Sequence, residues 1–204
     1  MTPPIFSIGH STHDIEGFIA LLRRHEIALV ADVRSVPYSR MQLQFNRESL
    51  IKALEKWGIE YVFLGAELGA RSSDKACYEK GQVQYHRLAQ TPAFHRGVER
   101  LQAESGRRRV ALMCAEREPL ECHRTVLVSR ELQAAGLPVM HIHADGHLES
   151  HEEVIHRLMR LLDMPEGDLF RTQDDLMEEA YRKQEARIAY VDESLARESE
   201  KAST

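Results

Sequence analysis

Short apolar runs alternate with stretches of helical periodicity along this chain, and this alternation restricts the fold more than any other feature. The apolar runs cover residues 5–9, 27–33, 59–64, 109–113 and 137–142. Helices are predicted between and after them, over residues 15–22, 47–57, 92–104, 120–135 and 149–162. Strands and helices in this order form right-handed βαβ units. The sequence therefore predicts an α/β fold, with one three-layer domain and a mainly parallel sheet of about five strands.

The composition changes after Pro165, where Glu, Arg, Lys and Ala become frequent. We predict an α/β domain over residues 1–164 and a C-terminal helical extension over 165–204, with one long helix over 173–200. The apolar seam of that helix is Met177, Tyr181, Gln184, Ile188, Val191 and Leu195. Because the seam spans fewer than three heptads, packing on the chain's own domain is favoured over a coiled coil, with residues 167–170 supplying apolar contacts. We expect a monomer or a weak dimer.

The bulk composition excludes several classes of protein. Among the 204 residues, 43% are hydrophobic and 29% are charged, as in ordinary globular proteins. The net charge of −5 provides no global basic field, so nucleic-acid binding is not indicated. No apolar run approaches the roughly 18 residues of a membrane span, and the first residues lack the pattern of a signal peptide. Three cysteines do not make a disulfide framework, and we expect a cytoplasmic protein without a membrane partner.

Reactive and charged side chains follow three of the predicted strands. They lie in Gly9-His10-Ser11-Thr12, in the segment 32–40 and in the segment 114–124. The carboxyl ends of neighbouring parallel strands meet at one edge, where ligands bind in open α/β sheets. The candidate catalytic residues are Cys114, Glu116, His123, His10 and Asp32. The candidate substrate-binding residues are Arg34, Arg40, Arg124, Ser11 and Tyr38, since guanidinium groups bind phosphates and carboxylates bidentately.

Several motifs together resemble the DUF488 family. They are Ser7-Ile-Gly-His-Ser-Thr12, Asp32-Val-Arg-Ser-Val-Pro-Tyr-Ser-Arg40, Tyr61-Val-Phe-Leu-Gly-Ala-Glu-Leu-Gly69, Cys114-Ala-Glu-Arg-Glu-Pro-Leu-Glu-Cys-His-Arg124 and Ala180-Tyr…Gln184…Ile188-Ala-Tyr190. The resemblance covers nearly the whole chain and implies an α/β fold with a shared pocket, but no established reaction. A weaker resemblance links Cys114 to rhodanese-like domains and Cys-dependent phosphatases. A phosphatase loop needs Cys and Arg closer together than Cys114 and Arg124, and Pro119 removes one of its amides.

The two cysteines of the 114–124 segment have three interpretations. They are small buried apolar groups, or a redox pair formed by Cys114 and Cys122, or metal ligands together with His123. Because adjacent Cys122 and His123 are expected to point in different directions, we predict no metal and no cofactor, with zinc as the alternative. If Cys114 works as a nucleophile or persulfide carrier, a helix start and Arg124 are expected to lower its pKa, while Glu116 opposes this. Histidines between residues 141 and 151 are interpreted as strand-end and helix-cap groups rather than metal ligands.

The residues favour an enzyme, a hydrolase or transferase with a site centred on Cys114, that acts on a small anionic substrate, phosphorylated or nucleotide-like. Arg34, Arg40 and Arg124 would hold the anion, and Cys114 would be a nucleophile or a thiolate ligand. One alternative is rhodanese-like sulfur transfer or thiol redox chemistry, with Cys122 as the resolving thiol. The other is a non-catalytic module that binds a nucleotide or a nucleic-acid end.

Overall fold

Two sheets are present in the computed structural model, which describes residues 3–165 and 170–202. The strands are β1 (Ile5–Gly9), β2 (Leu29–Asp32), β3 (Glu60–Phe63), β4 (Tyr78–Glu79), β5 (Gln82–Val83), β6 (Val110–Cys114), β7 (Val139–Ile142) and β8 (Leu148–Ser150). The main sheet has the order β3-β2-β6-β1-β7-β8, while β4 and β5 form a separate hairpin. All neighbours in the main sheet are parallel except β7 and β8. The predicted α/β fold is confirmed, with β8 as an additional antiparallel edge strand.

Helices flank the main sheet on both faces. They are α1 (Ile15–Arg24), α2 (Arg47–Glu55), α3 (Gly65–Leu68), α4 (Tyr85–Ala89), α5 (Pro92–Ser105), α6 (Arg130–Ala134), α7 (His151–Leu161), α8 (Gln173–Ile188) and α9 (Glu193–Ala202). Local capping fixes several of their starts: the Asp14 carboxylate accepts a hydrogen bond from the Gly17 amide. Ser150 and Thr172 each begin a capping box, at α7 and α8.

The predicted helix over residues 120–135 is wrong as a single element. Pro119–Glu121 is a 3-10 turn, Arg124–Ser129 is a π-helical turn, and only Arg130–Ala134 is α-helical. Cys122 between the first two has extended backbone, with φ −137° and ψ 138°, and this conformation ends the first turn. The interruption matters for the site because it rotates Cys122 relative to the residues that follow.

The core consists of two apolar layers, one on each face of the sheet. Successive strand residues alternate between the layers, so that Leu112 faces one of them and Met113 the other. Phe18 of α1 and Leu50 of α2 pack into the layer of Met113, and Ile155 of α7 packs into the layer of Leu112. Every residue of β6 is buried, as expected for a central parallel strand covered on both faces.

The C-terminal extension contains two helices rather than the one predicted. The chain is extended at Ala189, the Val83 amide donates to the Tyr190 carbonyl, and the Asp192 side chain caps the next helix. Within the predicted apolar seam of the C-terminal helix, Tyr181 and Gln184 are buried, while Val191 is 47% exposed. Of the segment 167–170, residues 167–169 lie outside the described residues, and Phe170 is 94% exposed.

The three strands that precede the candidate residues lie side by side as β2, β6 and β1. Gly9 pairs with Cys114 in register, and the His10 amide donates to the Cys114 carbonyl over 2.9 Å. A Cβ atom at Gly9 would lie 1.8 Å from the Glu116 carbonyl oxygen, so the end of β1 can approach this loop only as glycine. The carboxyl edge thereby brings the three segments together. No helix of the described residues has the length and apolar character required to cross a membrane.

Candidate functional site

A cavity of about 610 Å³ opens at the carboxyl edge of β1, β2 and β6. Buried residues from all three strand ends form its floor, and exposed residues of the loops form its rim. The floor includes His10, Arg34, Tyr85, Cys114 and His123. The remaining lining residues are Ser35, Val36, Tyr38, Ser39, Arg40, Ala70, Arg71, Ala115, Glu116, Glu121, Ile188 and Tyr190. The structure therefore brings most of the candidate residues to one cavity.

Two thiols, one carboxylate and one imidazole form a cluster at the floor, called here the thiol cluster: Cys114, Glu116, Cys122 and His123. Oε2 of Glu116 lies 3.0 Å from Sγ of both Cys114 and Cys122. Nδ1 of His123 lies 3.7 Å from the Cys114 sulfur and 3.8 Å from the Cys122 sulfur. Cys114, Glu116 and His123 line the cavity, whereas Cys122 lies behind them.

The surroundings shift the pKa values of the two thiols in opposite directions. A hydrogen bond with Cys122, followed by burial, raises the pKa of Cys114 well above that of a free thiol. Burial alone would raise the pKa of Cys122, but the hydrogen bond with Cys114 and the charge of Arg124 lower it well below the usual value. The expectation of a lowered pKa at Cys114 is therefore wrong. The amide of Arg124 donates to the Cys122 sulfur over 3.4 Å, so the turn after Cys122 stabilises that thiolate.

The other two members of the thiol cluster also titrate away from their ordinary values. Desolvation raises the pKa of the Glu116 carboxyl, although the residue is exposed to the cavity on one side. Burial would lower the pKa of His123, but the hydrogen bond and charge of Cys122 outweigh it and raise that pKa. Nε2 of His123 donates to the Val33 carbonyl over 3.0 Å, which fixes the ring and turns Nδ1 toward the sulfurs.

His10 contacts Arg34, which is bound in turn by Asp32. Arg34 binds Asp32 through Nε and Nη2, and its Nη1 lies 3.3 Å from Nε2 of His10. Nδ1 of His10 lies 3.1 Å from the Ser11 carbonyl, and the ring stacks on Phe45. Burial and then the charge of Arg34 lower the pKa of His10 to about 4, so the ring is neutral at pH 7. Asp32 is fully buried behind Arg34 and does not line the cavity.

Arg124 lies beneath the cavity, where its side chain binds the backbone of the neighbouring loop. Its guanidinium is fully buried and donates to the carbonyls of Glu116 and Arg117, over 2.7 and 3.3 Å. It is not among the residues that line the cavity, so the expected anion contact is not available to its side chain. Nε of Arg124 has no hydrogen-bond partner, and no carboxylate of residues 3–165 and 170–202 pairs with it.

The rim carries the arginines that remain free for a ligand. Arg40 and Arg71 are exposed, and Arg71 lies over the ring of Tyr190 at 4.4 Å. Tyr38 is also on the rim, with its hydroxyl bonded to Glu48. Ser11 has a left-handed backbone, with φ 47°, and is not a lining residue.

Sequence reasoning missed the contribution of distant segments to the cavity. Arg71, Tyr85, Ile188 and Tyr190 line it, although none follows a strand of the main sheet. The motif around Tyr190 was a signal for the C-terminal residues, because it belongs to the pattern that resembles a known family.

Among the described residues, one group of potential metal ligands is close enough to bind a single ion. It consists of Cys114, Cys122 and His123, whose ligand atoms all lie within 4.8 Å of one another. The expectation that Cys122 and His123 point apart is wrong. Extended backbone at Cys122 and helical backbone at His123 turn both side chains toward the same point.

The fold and the site define an α/β protein with a cavity lined by thiol, imidazole and guanidinium groups at the carboxyl edge of its sheet. A family model described as "Domain of unknown function DUF488" matches residues 14–130. Since the match covers more than half of the chain, the protein belongs to the DUF488 family. No curated protein and no solved structure matches the chain.

Proposed function

We propose that this DUF488 protein is an enzyme that binds a small anionic substrate, phosphorylated or nucleotide-like, in the cavity beside Cys114. The observation that carries the proposal is that Arg40 and Arg71 form no ion pair among the described residues. Within residues 3–165 and 170–202, neither has a carboxylate at ion-pair distance, and both face the cavity. Exposed arginines that line one cavity without carboxylate partners are suited to a bidentate contact with an anion.

The arginines in and around the cavity have different surroundings, which support different tasks. The guanidinium of Arg34 is already bound by Asp32, which neutralises it, and Arg124 is directed to backbone carbonyls. Arg71 is held by its contact with Tyr190, so less conformational entropy is lost when it binds a ligand. Arg40 and Arg71 therefore supply the charge that recognises the anion.

The reacting groups lie on the floor, below the arginines. Sγ of Cys114 faces the cavity and serves as the nucleophile or as a thiolate ligand. Glu116 is the acid or base, because its raised pKa is closer to neutral pH than that of an ordinary carboxyl. His10 is a positioning group, since the Arg34 guanidinium occupies its Nε2. An anion held at the rim would present its reactive end to Cys114.

The binding half of the proposal is tested by titrating inorganic phosphate and adenosine monophosphate into the wild type, Arg40→Ala and Arg71→Ala. Each substitution is expected to weaken binding about ten- to hundredfold, because a hydrogen bond to a charged group contributes roughly 1.5–3 kcal/mol. Arg23→Ala is the matched control, since Arg23 lies over Trp57 at 4.0 Å, away from the cavity. Equal affinity in the wild type and both rim variants contradicts the anion site.

The catalytic half needs a turnover assay. A panel of phosphate esters and nucleotides is incubated with the wild type and with Cys114→Ser, and products are identified by mass spectrometry. Turnover that requires Cys114 supports an enzyme. Binding that depends on the arginines, with no turnover of any compound, favours the non-catalytic module instead.

A thiol redox or sulfur-transfer function is the second candidate, and one observation favours it. Cys114 faces the cavity and Cys122 lies directly behind it, with the two sulfurs within 4.8 Å, as an attacking and a resolving thiol would be arranged. The raised pKa of Cys114 opposes this function. Mild oxidation should then remove two hydrogens per chain in the wild type and in Cys77→Ser, but not in Cys122→Ser. An unchanged mass after oxidation excludes a Cys114–Cys122 disulfide.

A further inference from the structure

The distances within the thiol cluster match those of a tetrahedral metal site. With zinc bonded to sulfur at about 2.3 Å and to nitrogen at about 2.0–2.1 Å, tetrahedral ligands place sulfur and nitrogen about 3.6 Å apart. The observed separations from His123 Nδ1 are 3.7 Å to Cys114 and 3.8 Å to Cys122. Both sulfur–nitrogen distances are thus close to those of a metal-bound set before any ion binds, and the three ligand atoms all lie within 4.8 Å of one another.

The surroundings of these ligands are those that hold metal ligands in place. A metal-bound histidine donates its other ring N–H to a carbonyl or carboxylate, and Nε2 of His123 donates to the Val33 carbonyl over 3.0 Å. The backbone amide of Arg124 donates to the Cys122 sulfur over 3.4 Å, a contact that supports a thiolate. Both contacts leave the sulfurs and Nδ1 facing the same point.

The charges also balance around such an ion. Two thiolates neutralise a divalent cation, and a neutral imidazole adds no charge. Two charged groups lie beside the three ligands: the Glu116 carboxylate, which accepts from both thiols, and the buried Arg124 guanidinium, whose charge acts on both sulfurs. Their charges are opposite, so they add no net charge beside the ligands.

We propose that Cys114 Sγ, Cys122 Sγ and His123 Nδ1 bind one zinc ion, which leaves its fourth coordination position open to the cavity. Cys114 and His123 line the cavity, so the open position faces the space below Arg40 and Arg71. Three protein ligands with one open position are the arrangement of catalytic zinc sites, whereas structural sites use four protein ligands. Oε2 of Glu116 lies 3.0 Å from both sulfurs, so this carboxylate is an acid–base group directly beside two of the ligands.

This inference deepens the proposed function, because it makes Cys114 a thiolate ligand rather than the nucleophile. The site itself requires only the three ligands, so metal binding can be measured separately from anion binding.

The first test is the metal content of the full chain, purified under reducing conditions and dialysed against a zinc buffer. We expect about one zinc per chain in the wild type and at least a tenfold lower affinity in Cys122→Ala and His123→Ala. Cys77→Ala is the matched control, because Cys77 is the third buried cysteine and lies outside the cluster. Circular dichroism checks that each variant is folded. A wild type without stoichiometric zinc, or folded ligand variants that bind zinc like the wild type, overturns the site.

A second measurement reads the ligands without any substitution. Cobalt(II) bound to the wild type should give the strong visible bands of a tetrahedral ion and the near-ultraviolet absorption of cobalt–thiolate bonds. Cobalt binding without thiolate absorption overturns the assignment, even if every variant fails to fold.

The two proposals fail differently. Anion binding that depends on Arg40 and Arg71, in a protein that binds no zinc, overturns the metal site and leaves the anion cavity intact. Stoichiometric zinc held by the three ligands, with anion binding unchanged in the arginine variants, overturns the anion cavity and leaves the metal site intact.

Discussion

Arg34 and Asp32 form a bidentate ion pair that is almost completely excluded from solvent. Nε of Arg34 lies 2.9 Å from Oδ1 of Asp32, and Nη2 lies 2.6 Å from Oδ2. The Tyr61 hydroxyl donates to the same Oδ2, and the Phe45 carbonyl accepts from Nη2, so the buried polar atoms are satisfied. The pair thus fixes the end of β2 and orients His10 at the cavity floor.

Arg34→Ala should destabilise the protein by about 3–5 kcal/mol, because it leaves the buried Asp32 carboxylate without its partner. Urea unfolding measures the change in the free energy of unfolding. The control is Arg197→Ala, which removes an exposed pair with Glu193 and should change stability by less than about 1 kcal/mol. Equal effects of the two substitutions would show that the Arg34–Asp32 pair contributes no more than a surface contact.

Gly9→Ala should disturb both the fold and the thiol cluster. Its Cβ would lie 1.8 Å from the Glu116 carbonyl oxygen, so the backbone of β1 or of the loop has to move. We expect a loss of about 1–3 kcal/mol in thermal unfolding, together with faster alkylation of Cys114 in the folded protein. Gly106→Ala is the control, since its nearest atoms are 3.7 Å away. A Gly9→Ala protein with wild-type stability contradicts the tight approach of β1 to this loop.

A buried chain of hydrogen bonds links the sheet to the C-terminal extension. The Ser7 hydroxyl lies 2.7 Å from Nδ1 of His141, and Nε2 of His141 lies 3.1 Å from Nδ1 of His151. Nε2 of His151 lies 2.8 Å from the Tyr181 hydroxyl on α8. These histidines serve the packing of α7 and α8, in agreement with their interpretation as structural groups.

Acid should weaken the fold through His151. Burial lowers its pKa to about 4, whereas the unfolded chain takes up the proton near pH 6.5. The unfolded state therefore binds more protons between these values, and the free energy of unfolding falls as the pH drops from about 6.5 to 4. Over this pH range, the free energy of unfolding falls by roughly 3 kcal/mol.

The measurement is urea unfolding at several pH values for the wild type and for His151→Gln. The variant should be less stable at pH 7 and should lose less stability on acidification. His95→Gln, at an exposed position on α5, should follow the wild type. Parallel pH curves for the wild type and His151→Gln would exclude this histidine as a source of acid sensitivity.

The central strands could be predicted from the sequence because burial on both faces makes them continuous apolar runs. β8 escaped prediction because it has only three residues and none of them is buried. The break between α8 and α9 also escaped, since residues 189–192 contain neither Gly nor Pro. That break depends on the contact of Tyr190 with Val83, which lies far away in the sequence.

The candidate site was predicted in outline because its residues follow adjacent parallel strands. The roles within it were not predictable, since they depend on burial and direction. Arg34 and Arg124 have the guanidinium group that commonly binds anions. In the structure, however, Asp32 binds the guanidinium of Arg34, and backbone carbonyls bind that of Arg124. The convergence of Cys122 and His123 depends on one extended residue inside a predicted helix, which periodicity does not reveal.

The two halves of the C-terminal extension should differ in importance. A chain that ends at Asp192 loses α9, whose contacts include the exposed pair Lys75–Glu198. Such pairs contribute about 0–1 kcal/mol, so this truncation should lower the melting temperature only slightly and leave anion affinity unchanged. The cavity wall remains because Ile188 and Tyr190 are still present.

A chain that ends at Gln184 should behave differently. It loses Ile188 and Tyr190 from the cavity wall, and Arg71 loses the ring that holds it. It also loses the Glu185 carboxylate that accepts the Tyr85 amide over 2.6 Å. We expect a clear fall in melting temperature and at least tenfold weaker phosphate binding by calorimetry, because the freed guanidinium must be ordered again when the anion binds. If both truncated chains bind phosphate like the wild type, residues 185–192 are not part of the anion site.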